Sequence, residues 1–319
     1  MRTPSHWQHK NLLSYALLPL GFLYAQATAL RLKLKNSKSV SIPVICIGNL
    51  TAGGTGKTPT AIAIADIIQK LGKKPFFVSR GYGGSLSGVI VDNQKHTPKQ
   101  VGDEPLLLAQ KAGVSINADR HQAAKKAIEN GAEVIIMDDG FQNPSLKKDL
   151  SFLVFDGGSG IGNAFPLPAG PLRESFAKGL KRADAAIIIG DDKTNLQAKL
   201  KNLPVFTAKI SSQSPNLGNK PMIAFAGIGR PQKFYDSLLA ENVNVVKTID
   251  FPDHHFYTEQ ELNELLSFAQ QQNAGLITTS KDWVKIPPHL QPHFKVLEIF
   301  IEWEKTQALT DFIQKKLKI

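Results

Sequence analysis

The chain has 319 residues, 38 Lys and Arg against 27 Asp and Glu, a formal net charge of +11, 42% apolar content and one cysteine. At about 150 residues per domain the length suggests two domains, and the composition is that of a globular chain, neither low-complexity nor disordered. Lone Cys46 excludes an intramolecular disulfide framework and a cysteine-rich zinc site, while the positive surplus points to nucleic acid, an anionic membrane or a phosphorylated substrate.

The surplus is concentrated at the start. Residues 1–40 hold Arg2, Lys10, Arg31, Lys33, Lys35 and Lys38 and no acid, which is six of the eleven excess charges. Between Lys10 and Arg31 runs an uncharged stretch of 20 residues, NLLSYALLPLGFLYAQATAL, long enough as a helix to cover about 30 Å. Four readings compete for it. It could lie in a membrane face, with basic flanks on anionic headgroups and Trp7, Tyr15 and Tyr24 near the interface. It could span the bilayer, although Pro19 and Gly21 interrupt it and Asn11, Ser14, Gln26 and Thr28 dilute it. It could be a signal peptide ending at Ala25-Gln26-Ala27, or a buried core helix.

After residue 40, short β-rich runs alternate with helical patterns. Strands are expected at 42–48, 75–79, 88–92, 133–138, 151–156 and 184–189, with helices at 57–71, where Ile64, Ile67, Ile68 and Leu71 share a face, at 105–112 and at 119–130. Apolar strands alternating with helices predict an α/β fold whose mostly parallel sheet is covered on both faces. The polar stretch SSQSPNLGNK (211–220) reads as a linker. A second set follows: strands at 222–226, 244–249, 275–279 and 295–300, and helices at 231–240, 258–272 and 304–317, with Thr258 and Glu261 at capping-box spacing. The expected plan is a basic segment 1–40, a core 41–210, the linker, and a smaller α/β domain 221–319.

The strongest chemical signal is TAGGTGKT (51–58), between a buried-type strand and a helix. Gly53, Gly54 and Gly56 let backbone N–H groups curl around phosphates. Lys57 supplies a charge to the β/γ-phosphates and Thr58 a hydroxyl to Mg²⁺. Thr51 stands where the strict motif has its first glycine, so the loop is closer to the GG-x-GKT type, with Ala52 in place of that type's signature lysine; Thr55 completes it. A P-loop needs an acidic partner on a neighbouring strand, and VIIMDD (134–139) supplies Asp138 and Asp139 at a strand's carboxyl end. A nucleotide site also needs cytosolic ATP, which argues against an exported protein and hence against the signal peptide.

Further polar groups lie in SRGYGG (79–84), VGDEP (101–105), NADR (117–120), PAGPLRE (168–174) and FPDHH (251–255). Taken singly, Asp103 reads as a helix N-cap, the arginines as surface residues and His254-His255 as an exposed turn. Together with IGNLTAGGTGKTP, VGDEPLLLA, DDGFQ, AGIGRPQKF, DHHFYT and TTSKDWVK, in order from about 42 to 285, they resemble the lipid A (tetraacyldisaccharide) 4′-kinases. A basic, amphiphilic N-terminus is also typical of that family. Asn143-Pro144 departs from it, since a His commonly follows DDGFQ.

The resemblance implies a P-loop kinase fold and transfer of the ATP γ-phosphate to the 4′-hydroxyl of an acylated glucosamine disaccharide 1-phosphate, at the cytoplasmic face of an inner membrane. It implies Asp103 as general base with His254 as its partner, and Lys57 with the P-loop amides on the transferring phosphoryl group. Thr58, Asp138, Asp139 and Glu174 are implied around Mg²⁺, and Arg80, Glu104, Arg120 and Arg173 around the lipid headgroup. Because Asp103 and His254 fall in different halves, the site is expected in a cleft between them. The alternative from another class is a membrane-associated P-loop switch or transport ATPase. No nucleic-acid motif accompanies the positive charge.

Overall fold

The computed structural model describes residues 4–200 and 202–319; Arg2, counted above among the basic flanks, lies outside them. Twelve strands run in chain order as β1 (Val44–Gly48), β2 (Pro75–Ser79), β3 (Val89–Ile90), β4 (Gly113–Ile116), β5 (Val134–Asp138), β6 (Leu150–Asp156), β7 (Ala185–Ile189), β8 (Val205–Gln213), β9 (Met222–Ala226), β10 (Val245–Asp250), β11 (Gly275–Thr279) and β12 (Phe294–Trp303). They form one sheet of order β10-β9-β11-β12-β8-β7-β6-β1-β5-β2-β4-β3. Every pairing is parallel except β8 with β12 and β3 with β4.

The central strands are buried on both faces, as their unbroken apolar runs require. In β1, Ile45 and Ile47 face a core shared with the helix Lys57–Lys70, while Val44 and Cys46 face a second core under the helix Arg120–Glu129. Burial pushes the Cys46 thiol up to about 11, so it is an inert core group. The same sidedness recurs in the second half. Met222, Ala224 and Ala226 of β9 pack with the helix Pro231–Ala240, and Ile223 and Phe225 with the helix Glu259–Gln271. That last helix starts at the Thr258–Glu261 capping box.

Two strands were not expected. Gly113–Ile116 has only four residues, too few for a pattern, and β8 runs through the start of the stretch read as a linker. Ser211, Ser212 and Gln213 are strand residues because they complete the ladder with Phe300, Ile299 and Glu298 of β12. Ser211 Oγ also donates to Glu302, and Ser212 Oγ to Glu241. The final helix, Thr306–Leu317, leaves the second half altogether. Its Leu309, Ile313 and Leu317 are buried in the P-loop core, with Phe312 edge-on to Phe152.

The N-terminal helices Leu12–Ala16 and Leu18–Leu34 dock through their small and polar side chains. Ser14, Gly21 and Thr28 are the buried residues and recur every seven positions, on one face. A Cβ on Gly21 would meet Pro166 O at 2.9 Å, so only glycine permits this approach. Trp7 Nε1 donates to Pro168 O at 3.1 Å and Asn163 Nδ2 to His6 O at 2.8 Å, pinning the segment to the 163–172 loop. Leu12, Leu13, Leu20, Phe22, Leu23, Leu30 and Leu34 point outward, all at least half exposed. Of the residues that interrupt or dilute the apolar run, Ser14, Gly21 and Thr28 face the protein, while Asn11, Pro19 and Gln26 are exposed.

Candidate active site

The P-loop joins β1 to the helix Lys57–Lys70. Gly56 adopts φ +86°, and a Cβ there would lie 2.6 Å from Ile189 Cδ1, whereas Gly53 and Gly54 meet nothing within 4 Å and leave the phosphate side open. The PAGPLRE segment straps the loop in place: Ala52 N donates to Pro171 O at 2.7 Å, Arg173 N to Leu50 O at 2.7 Å, and Thr51 bridges Leu172. Asn49 Nδ2 donates to Thr55 Oγ1 at 3.1 Å, and Gln142 Nε2 to Asn49 O at 2.8 Å. Asn49 and Gln142 were not singled out from sequence, although both sit inside quoted motifs.

The two aspartates at the end of β5 have different environments. Asp138 accepts from Thr58 Oγ1 at 3.0 Å, and its Oδ1 is buried with no hydrogen-bond partner. Burial, then the charges of Glu104 and Asp139, push Asp138 up to about 7. Asp139, at φ +50°, turns the other way. Arg173 Nη1 donates to both its oxygens at 3.0 and 3.1 Å, and Lys57 Nζ lies 3.7 Å from Oδ1. Burial would raise Asp139, but Lys57 and Arg173 outweigh it and hold the carboxyl below its ordinary value. Lys57 is itself pulled down by burial.

Three residues expected at the ligands are held by protein partners in this structure. Asp139 and Arg173, assigned to metal and headgroup, engage each other, because a charge-assisted hydrogen bond from guanidinium to carboxylate is strong. Glu174, expected at the metal, has Oε1 on Gln142 at 3.0 Å and Oε2 paired with Arg182; a buried carboxylate beside a guanidinium pairs with it. Arg182 also donates to Phe141 O and lies over the Phe141 ring. Asn143 does not take over a histidine's reach, since its Oδ1 accepts from Ser145 N and Oγ and closes a local turn.

Asp103 is the first residue of the helix Asp103–Ala109, not its cap, which is Gly102 at φ +89°. Gly102 and Gly84 are required where the loops 79–84 and 101–105 touch: a Cβ on either would strike backbone at 2.6 Å. Asp103 Oδ2 meets His254 Nδ1 at 2.9 Å and its Oδ1 accepts from Glu104 N at 2.9 Å. His254 stands at φ +58° in the turn after β10, its N–H donating to Gly227 O at 3.1 Å. Burial works to raise Asp103, but His254 outweighs it, and the carboxyl lies below its ordinary value. The Asp103 hydrogen bond raises His254 above the ordinary imidazole value against its burial. His255 stays local, paired with Glu261 at 3.0 Å.

Arg120 is buried, with Nη1 on Asn117 O at 2.8 Å and Nε without a partner. Burial and then the neighbouring Arg80 draw it down to about 10, while Asp139 and Asp138 pull the other way. A buried guanidinium with an unpartnered Nε and no paired carboxylate among the described residues suits an anion. Glu104, expected at the headgroup, is paired with Lys281 Nζ at 2.8 Å, a residue not assigned from sequence. The residues fit a divalent cation at Thr58 and Asp138, where the orphaned Oδ1 lies. No cluster of three or more His, Cys, Asp or Glu that could hold a metal occurs among the described residues.

A family model described as tetraacyldisaccharide-1-P 4′-kinase (LpxK) matches residues 13–318. The tetraacyldisaccharide 4′-kinase of Rhodospirillum rubrum is 42% identical over 99% of this chain and 98% of its own. That of Gluconacetobacter diazotrophicus is 44% identical over 92% and 90%. The crystal structure of LpxK from Aquifex aeolicus in complex with ATP superposes with a TM-score of 0.81 at 28% identity, covering 96% of this chain and all of that one.

Proposed function

This chain belongs to the tetraacyldisaccharide-1-P 4′-kinase family, and from that premise we propose how its side chains carry the reaction. The protein is an ATP-dependent kinase of lipid A biosynthesis, which phosphorylates the 4′-hydroxyl of a tetraacylated glucosamine disaccharide 1-phosphate to give lipid IVA. The observation that carries the assignment of roles is the hydrogen bond between Asp103 and His254, which come from opposite halves of the chain.

In this reading the amides of residues 51–58 and Lys57 hold the ATP phosphates and stabilise charge on the transferring group. Thr58 and Asp138 would hold Mg²⁺, and Asp138 is preferred to Asp139 because its Oδ1 is the buried oxygen without a partner. When bound, the ion would supply positive charge to offset that of the phosphates. Asp103 takes the proton of the sugar hydroxyl. A carboxylate near pKa 4 is ionised at neutral pH but a weak base, so His254 on Oδ2 shares the proton load and fixes the carboxylate's orientation. Arg80 and Arg120 receive a phosphate of the headgroup. Glu104 and Arg173, in ion pairs at the rim, border the headgroup space.

The membrane face is part of the same proposal. The outward apolar side chains of residues 12–34, flanked by exposed Lys10, Arg31, Lys33 and Lys35, support docking on an anionic leaflet. No helix among the described residues is long and apolar enough to cross a membrane, so the proposal is a peripheral enzyme on the cytoplasmic face of the inner membrane. Trp7 and His6 touch the loop that straps the P-loop, so docking would bring the site to the surface where the acylated acceptor resides.

The test is incubation with labelled ATP, Mg²⁺ and the acylated disaccharide 1-phosphate in detergent micelles. Transfer of label to the acceptor, lost in Lys57→Ala and Asp103→Ala, is expected. Folded protein that labels no acceptor, or hydrolyses ATP equally fast without it as the switch or transport ATPase would, overturns the reading.

A further inference from the structure

The turn after β11, Ser280–Trp283, faces two ways. Inward, Asp282 is fully buried and accepts from Gly227 N at 3.1 Å, Tyr257 OH at 3.0 Å and Thr279 Oγ1 at 2.7 Å, with Lys285 Nζ at 2.6 Å. Gly227 O in turn receives the N–H of His254. One carboxylate thus ties together the loops that follow β9, β10 and β11. Val284 and Trp283 pack against the P-loop core. The turn is therefore a rigid mount at the junction of the two halves.

Outward, Lys281 crosses that junction. Its Nζ donates to Glu104 Oε1 at 2.8 Å, its one ion pair among the described residues. Glu104 follows Asp103 in the same helical turn, and Asp103 Oδ1 already holds the Glu104 N–H. Consecutive carboxylates of the first half are thus gripped by two basic groups of the second, His254 on Asp103 and Lys281 on Glu104.

We propose that Lys281 is a positioning residue of the phosphotransfer: its ion pair with Glu104 holds the Asp103 carboxylate in register with His254. Because Asp103 Oδ1 is already held within its own helix, a single hydrogen bond across the junction leaves the two halves free to pivot about it. A second tie, made one residue along the chain to a different element, removes that freedom. Burial lowers Lys281, but Glu104 and then Asp103 and Asp138 outweigh it, so the ammonium is charged across the working range. The inference rests on the kinase reading above and deepens it by adding a residue that touches neither reacting group.

The experiment is steady-state acceptor phosphorylation by the full chain, comparing wild type, Lys281→Met, Lys281→Arg, Glu104→Gln and the double variant Lys281→Met/Glu104→Gln. Lys281→Met should lower kcat by on the order of 10²-fold, the effect of misplacing a reacting group by about 1 Å, with KM for ATP within about twofold of wild type. Lys281→Arg should recover most of the rate. The double variant should be no slower than the slower single one, because both remove the same contact. Wild-type kcat in Lys281→Met, losses that multiply in the double variant, or a raised KM for ATP at unchanged kcat would each overturn the proposal. Should Lys281→Met fail to fold, Glu104→Gln leaves the turn intact and carries the test alone: a lowered kcat at unchanged KM for the acceptor supports the latch, and a wild-type kcat or a raised acceptor KM alone defeats it. Wild-type protein that labels no acceptor defeats the kinase reading; active wild type with unimpaired variants defeats only the latch.

Discussion

Replacing Asp103 with Asn isolates the charge from the shape. The side chain is 10% exposed, with one oxygen on Glu104 N and the other on His254 Nδ1. An amide can keep its Oδ1 on Glu104 N and offer Nδ2 to a neutral imidazole, so packing and hydrogen bonds survive while the proton acceptor is lost. General-base catalysis contributes roughly 10²–10⁴-fold, or about 3–5 kcal/mol of barrier at about 1.4 kcal/mol per decade. The stability cost is far smaller, because the His254 side chain is 44% exposed and a solvent-screened pair is worth about 1 kcal/mol or less.

The pH dependence has a definite sign. Asp103 lies below its ordinary value, burial notwithstanding, so its contribution is present above the unfolded carboxylate pKa and lost as pH falls through the lowered folded one. His254 is raised by Asp103, so its contribution is complete below the unfolded imidazole pKa and lost as pH rises through the raised folded one. The Tm gap between wild type and Asp103→Asn should therefore be widest between about pH 4 and 6.5 and close on both sides. The assay is kcat and thermal unfolding for both proteins over the same pH series. A variant that keeps wild-type kcat, or a Tm gap that does not change with pH, would refute the reasoning.

Other outcomes follow from single contacts. Asp138→Asn removes the charge beside the orphaned Oδ1 and should raise the Mg²⁺ concentration for half-maximal rate by roughly tenfold or more, read from Mg²⁺ titrations at saturating ATP; an unchanged curve would place the ion elsewhere. Gly56→Ala adds about 1–2 kcal/mol of left-handed strain and a Cβ 2.6 Å from Ile189 Cδ1, so calorimetric ATP binding should weaken by roughly tenfold. Exchanging Phe22, Leu23 and Leu30 for Ser should abolish cosedimentation with anionic vesicles while leaving Tm within a degree or so, since these side chains touch solvent; unchanged binding would remove the docking face. Asp282→Asn leaves Lys285, 1% exposed, as an uncompensated buried charge and should cost about 3–5 kcal/mol in chemical denaturation.

Much of the fold was legible because local chemistry specifies it. The apolar runs of β1, β5, β6 and β7 can only be strands buried on both faces, and the glycines before Lys57 can only be a turn opening a helix. Less local features escaped. Gly113–Ile116 is too short to show a period, and Ser211–Gln213 is polar strand that exists because β12 supplies its partner. The seven-residue spacing of Ser14, Gly21 and Thr28 was a readable signal for the docked face of the N-terminal helix, yet those residues looked like dilution of an apolar segment. The P-loop and its aspartates stood out as residue types at known spacing. That Asp139 turns to Arg173 while Asp138 keeps Thr58 depends on a left-handed residue at the end of β5.

The sequence by itself determined the elements, the phosphate loop and the set of side chains able to do chemistry, since backbone preference and side-chain type act over a few residues. Only the tertiary structure decided which charges meet. Asp103 and His254 are 151 residues apart and Glu104 and Lys281 are 177 apart, and ion pairing, burial and proton affinity all depend on distances of a few ångströms that are set when the β8–β12 ladder brings the two halves together.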